Sequence, residues 1–166
     1  MNTFYQVSAK FIRQNLNTGK DEKITESYLV PAIIFAEAET RIYKELSERV
    51  SGEFLVTKIA KSNLSEVIPS EGDMYYRGKI RFVLLDENTG KSKRITQPVL
   101  VMADSVKDAE AKIEEAYRDT TLGVDIVGVQ ESNIVEVFGE GVANPISDIK
   151  NMVSFAEDMP INPYMS

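Results

Sequence analysis

The side chains in this sequence best suited to chemistry are cations set at alternate positions. Tyr75, Arg77, Lys79 and Arg81 alternate with Tyr76, Ile80 and Phe82, and a period of two places the first four on one face of a β-strand. Lys91, Lys93 and Arg94 follow closely, so residues 75–98 hold six cations against the two acids Asp86 and Glu87. Such a row can follow a phosphate backbone while Tyr75 stacks on a base. The same pattern also fits a charged solvent face that keeps a sheet soluble. The matching positions of an earlier stretch, Phe4, Gln6, Ser8 and Lys10, are less basic, as expected if one surface binds and the other supports.

Other chemistry is thinly supplied. The chain has no Cys, His or Trp, which removes disulfides, thiolate chemistry, Cys/His zinc sites and the commonest general base. A metal would need oxygen ligands alone, a set that suits Mg²⁺ or Ca²⁺. Neighbouring carboxylates occur at Asp86/Glu87, Glu114/Glu115 and Glu157/Asp158, but adjacent acids on a turn or helix ordinarily form a solvated face. Asn17-Thr18-Gly19-Lys20 and Asn88-Thr89-Gly90-Lys91 lack the leading glycine and strand-to-helix order of a phosphate-binding loop, and read as hairpin turns. The expectation is a binding protein, not an enzyme, with neither cofactor nor metal.

The elements that must position the cations come from an internal repeat. Residues 4–45 match 75–116 without a gap, with identities at Tyr5/Tyr76, Phe11/Phe82, Ile24/Ile95, Leu29/Leu100, Val30/Val101, Ala38/Ala109 and Ile42/Ile113. After one deletion, Ser62-Asn63-Leu64-Ser65-Glu66-Val67 matches Ser132-Asn133-Ile134-Val135-Glu136-Val137. Each copy reads as strand, hairpin turn, strand, helix and a final strand bent or broken at Ser-Asn. Ser105 with Asp108 makes a helix N-cap. Val106, Ala109, Ile113 and Tyr117 form one apolar helical stripe, and Phe35, Ala38, Ile42 and Leu46 the other. Gly52 and Gly123 stand where the helices are expected to stop. The fold class is therefore α+β, a tandem duplication of a β-β-α-β unit with room for a short fourth strand. Residues 1–68 and 75–138 are the repeats, expected to form a pseudo-two-fold domain with one sheet face per unit left open.

Residues 139–166 differ. They hold three prolines, two glycines and the acids Glu140, Asp148, Glu157 and Asp158 against Lys150, and read as an extended or disordered tail, with residues 145–166 expected not to be needed for folding. Phe155, Met159, Ile161 and Tyr164 are its candidate partner-binding residues, and Glu157 and Asp158 are placed to screen the basic stripe. The stretch 157–161 is similar to the acidic, apolar-tipped tails of single-stranded-DNA-binding proteins, although the chain continues past it.

Tyr28-Leu29-Val30, Phe35-Ala36-Glu37-Ala38-Glu39, Ser51-Gly52-Glu53-Phe54 and Asn63-Leu64-Ser65-Glu66 resemble an uncharacterised family of small proteins from gut anaerobic bacteria and their phages and mobile elements. The resemblance runs over about residues 1–138 and rests on packing and turn motifs. A family without known function supplies no catalytic residue. Its association with mobile elements implies a DNA-related role, and the long tail departs from its pattern.

Despite a net charge of −7, the local basic stripe makes single-stranded nucleic acid, DNA preferred, the expected ligand of a phage-type accessory protein. The alternative is a structural or adaptor protein docking another protein through its tail or open sheet face. Both readings accommodate a homo-oligomer. The first residues lack the charged-then-apolar layout of a signal peptide, and no apolar run approaches the roughly 20 residues of a membrane span. A cytoplasmic location, that of the host if phage-encoded, is the expectation.

Overall fold

A computed structural model of the chain describes residues 3–120 and 123–139. Its elements are β1 (Phe4–Gln14), β2 (Asp21–Pro31), α1 (Phe35–Arg49), β3 (Phe54–Lys61), β4 (Glu66–Ile68), β5 (Met74–Leu85), β6 (Ser92–Ala103), α2 (Val106–Ala116), β7 (Val124–Glu131) and β8 (Ile134–Val137). The fold is α+β, and the order strand, strand, helix, strand, short strand occurs in both halves of the chain. Corresponding hairpins also share a register: Tyr5 faces Val30 and Tyr76 faces Val101.

The two hairpin turns are built alike. Asn15 Oδ1 accepts from the Asn17 amide at 2.8 Å, and Asp86 Oδ1 accepts from the Asn88 amide at 2.9 Å. Gly19 and Gly90 take φ of 71° and 69°, left-handed values that glycine reaches without a Cβ penalty. The Gly-Lys pairs thus close loops between antiparallel strands.

The sheets are not assembled from contiguous halves. One has the order β3-β1-β2-β8 and the other β4-β6-β5-β7. The terminal strands β8 and β4 run parallel to β2 and β6, so each sheet takes its fourth strand from the other half of the sequence. The compact units are accordingly residues 66–131, and residues 3–65 with 132–139. Chain geometry explains the exchange. Within its own sheet β3 already runs parallel to β2, because both are antiparallel to β1. Placing β4 parallel to β2 as well would require a return along the whole strand, a crossover of about a dozen residues or more. Only residues 62–65 separate β3 from β4.

Each helix packs on one face of its sheet. Ala109, Ile113 and Tyr117 meet Tyr76, Ile80, Phe82, Val99 and Val101, and Ala38, Ile42 and Leu46 meet Val7, Tyr28 and Val30. The outer ends of the expected stripes depart from this pattern: Phe35 and Val106, at the first helical positions, are 48% and 46% exposed. Gly78 lets α2 approach closely, since a Cβ there would lie 2.4 Å from Ile113 Cδ1. Helix α1 ends at Arg49 with Val50 as its C-cap, and Gly52, at φ 115°, follows two residues later. Helix α2 instead ends at Ala116, well before Gly123. The sheet faces opposite the helices are not open along their whole length: Phe4, Leu29 and Leu100 lie there and are fully buried. The exposed part of each such face is the hairpin end.

Candidate nucleic-acid interface

Strand β5 pairs with β6 and β7. Its pleat sends Tyr76, Ile80 and Phe82 into the core beneath α2, and therefore Tyr75, Arg77, Lys79 and Arg81 to the opposite face. Along β5 alternate residues are about 7 Å apart, a step comparable with that between phosphates of an extended single strand. The register fixes their neighbours. Arg77 lies opposite Leu100 and Gln130, Lys79 opposite Pro98 and Gly128, and Arg81 opposite Thr96 and Asp125.

The structure sorts the seven expected residues. Arg94 faces Val83, on the same face as Arg81, and extends the cationic row toward the hairpin tip. Lys93 faces Leu84, so its side chain leaves the opposite face of the ribbon, and Lys91 lies in the turn. Lys79 and Arg94 are exposed, whereas Tyr75, Arg77 and Arg81 are partly buried. Arg81 Nη2 lies 3.7 Å from Asp125 Oδ2, in an exposed pair with little net energy. Val83, Leu85 and Val127, at 39%, 66% and 49% exposure, place apolar surface in the same region.

The other sheet carries a basic patch that inspection of β1 alone missed. Lys10 lies on its outward face. The register adds Lys23, opposite Ile12, and Lys58, opposite Ser8, and all three lysines are exposed. These cations come from three strands, so no alternation within one segment reveals them. The helices carry much of the acid: Glu37, Glu39, Glu45 and Glu48 on α1, and Asp108, Glu110, Glu114 and Glu115 on α2. Within each unit the outward strand face is thus basic, although the whole chain has a net charge of −7.

A polar cavity of about 480 Å³ opens on the helix side of the unit containing β1. Arg13, Glu26, Tyr28, Arg49 and Glu136 are among its lining residues. Its charges are matched internally. The Tyr28 hydroxyl donates to Glu26 at 2.6 Å, Arg13 lies 4.0 Å from Glu26, and Arg49 reaches Glu136 at 2.5 Å and sits 4.7 Å above the Phe138 ring. Burial, and then its hydrogen bond to Glu26, raises the Tyr28 phenol well above its ordinary range. The corresponding place in the other unit has Tyr117, whose hydroxyl reaches the buried carboxylate of Glu66 at 3.2 Å.

The acidic pairs have local partners. Asp86 caps its turn, and Glu115 pairs with Arg118 at 2.6 Å. No group of three or more acidic side chains placed to hold a metal ion occurs among the described residues, nor is any helix there long and apolar enough to cross a membrane. Phe155, Glu157, Asp158, Met159, Ile161 and Tyr164 lie outside the described residues.

Neither a curated protein nor a solved structure matches the chain. One family model does, and it extends from residue 3 to residue 140, across all ten elements and both strand exchanges. That extent makes the chain a member of the family described as Domain of unknown function (DUF4494).

Proposed function

We propose that this protein binds single-stranded nucleic acid, DNA in preference, without catalysing a reaction. The observation carrying this reading is the alignment of exposed Lys79 and Arg94 with partly exposed Arg81 on the strand face opposite α2. Cations along one extended strand match a polyanion that is itself extended. Val83 and Leu85 among them supply apolar surface for base faces. Lys10, Lys23 and Lys58 form a secondary basic patch, and the acids of α1 and α2 keep the helix faces from competing for the same ligand.

Stacking is a smaller part of this proposal than phosphate contact, because Tyr75 is partly buried. The binding is therefore electrostatic, tolerant of sequence and steeply dependent on salt. The test is titration of labelled single-stranded DNA, duplex DNA and RNA over a salt series. The proposal requires the tightest binding to single-stranded DNA and a log–log salt slope that falls when Lys79, Arg81 and Arg94 are replaced. Preference for duplex DNA would assign the β5–β6 ribbon to a groove instead, since a two-stranded ribbon fits the major groove. Absence of binding to all three at low salt would favour the adaptor alternative.

A further inference from the structure

The two helices begin differently at equivalent positions. Helix α2 is preceded by Asp104 and by Ser105, whose hydroxyl accepts from the Asp108 amide at 3.0 Å, while Asp108 accepts in return from the Asp104 amide at 3.0 Å. Helix α1 has Ile33 and Ile34 in those places, and its N-cap Ile34 makes no side-chain cap bond. Only the return bond survives there, from the Ile33 amide to Glu37 at 2.9 Å. An apolar residue in place of a serine cap costs about 1 kcal/mol. It also leaves Ile33, Ile34 and Phe35 side by side at 82%, 59% and 48% exposure. A helix start that forgoes its cap and exposes three consecutive large apolar side chains has the form of a docking surface.

The path of the chain indicates the occupant. After β8, the Phe138 amide donates to Leu29 O at 2.8 Å. Gly139 then turns with φ 121°. It is packed so closely that a Cβ there would lie 2.7 Å from Arg41 Nη1 and 3.3 Å from Pro31 Cδ. Arg41 in turn donates to Pro31 O. The described chain therefore ends at Gly139 beside Pro31, and Ile33 is two residues beyond Pro31, at most about 7 Å of extended chain. The sequence that follows contains Ile146, Ile149, Met152, Val153 and Phe155, with Asp148 and Lys150 as the only charges between residues 141 and 156.

We propose that Ile33, Ile34 and Phe35 form the docking surface for the chain's own C-terminal segment, which binds in cis through apolar residues between 146 and 155. Size favours this occupant over a separate protein. Three side chains fall far short of the roughly 800 Å² per partner of a standard interface. A tethered segment is held at an effective concentration in the millimolar range, so a weak contact suffices. The proposal rests on the α1 corner and the exit at Gly139, and is independent of nucleic-acid binding.

The absence of cysteine permits a direct test in the full chain. A nitroxide placed at exposed Glu39 through Glu39→Cys should broaden the amide resonances of residues 146–155 several-fold relative to the reduced label. The double variant Ile33→Ser/Ile34→Ser should restore them. Ile34→Ser puts a serine where α2 has Ser105, so the helix start is retained, which circular dichroism checks. Absence of broadening, or broadening unaffected by the serines, would overturn the proposal. So would broadening confined to mixtures of labelled protein with a separate isotope-enriched copy, which would assign the surface to a second molecule.

Discussion

Replacing Lys79, Arg81 and Arg94 together by alanine removes the cationic row while sparing the core. Lys79 and Arg94 are exposed, and the ion pair of Arg81 with Asp125 is itself exposed. The folded state should therefore change by only about 0.5 kcal/mol per site. Each single-strand phosphate contact contributes about 0.7 to the slope of log affinity against log salt, so three contacts contribute about 2. Between about 50 and 200 mM salt, that part of the slope corresponds to about a 20-fold loss of affinity in the parent protein, which the variant should no longer show. Asp125 supplies a control of opposite sign. Asp125→Asn releases Arg81 and should tighten binding, by at most about fivefold for a surface pair worth up to ~1 kcal/mol. The assay is fluorescence anisotropy with labelled single-stranded DNA across the salt series, with melting checked in parallel. A folded triple variant whose slope equals that of the parent would refute the assignment of phosphate contacts to this face. The replacement Lys93→Ala alone should change the slope less than Arg94→Ala, because their side chains leave opposite faces of the ribbon.

Phe138 stacks on Tyr28 at 5.1 Å and is 2% exposed. Phe138→Ala should cost about 3–5 kcal/mol, and hydrogen exchange should show the loss of protection first in residues 3–65, distant in sequence but in the same compact unit. Ser105→Ala should destabilise α2 by about 1 kcal/mol, measured by denaturant midpoint. For Tyr28 the pKa is raised in the folded state, so its contribution is complete below its unfolded value, about 10, and declines as pH rises above that value. Stability measured from pH 8 to 11 should fall less steeply in Tyr28→Phe than in the parent. Equal slopes for the two proteins would show that the Tyr28 phenol does not contribute.

Much of the fold was legible because local chemistry recurs at fixed offsets. The Asn-Thr-Gly-Lys turns, the alternating β5, the Ser105 cap and the stripe Ala109, Ile113, Tyr117 depend on residues close together in sequence, and each is present as read. Phe35 and Val106 fit the helical period equally well yet remain exposed, because a period identifies a face but not how far the sheet beneath it extends. The candidate site divides in the same way. That Arg77, Lys79 and Arg81 share a face follows from the pleat of one strand. That Arg94 joins them, that Lys93 does not, and that Lys10, Lys23 and Lys58 converge depends on the pairing of separate strands.

The sequence by itself determined the α+β character, the repeated order of elements and the absence of thiol and imidazole chemistry, since these follow from composition and short-range pattern. Tertiary structure alone decided which strands complete which sheet. Glu66-Val67-Ile68 and Ile134-Val135-Glu136-Val137 look like the closing strands of their own repeats, yet each pairs with a strand of the other half. The physical reason is directional. A parallel neighbour needs a long return path, the few residues after β3 and β7 do not provide one, and no property of a short strand specifies its partner until the competing sheet edges exist in space.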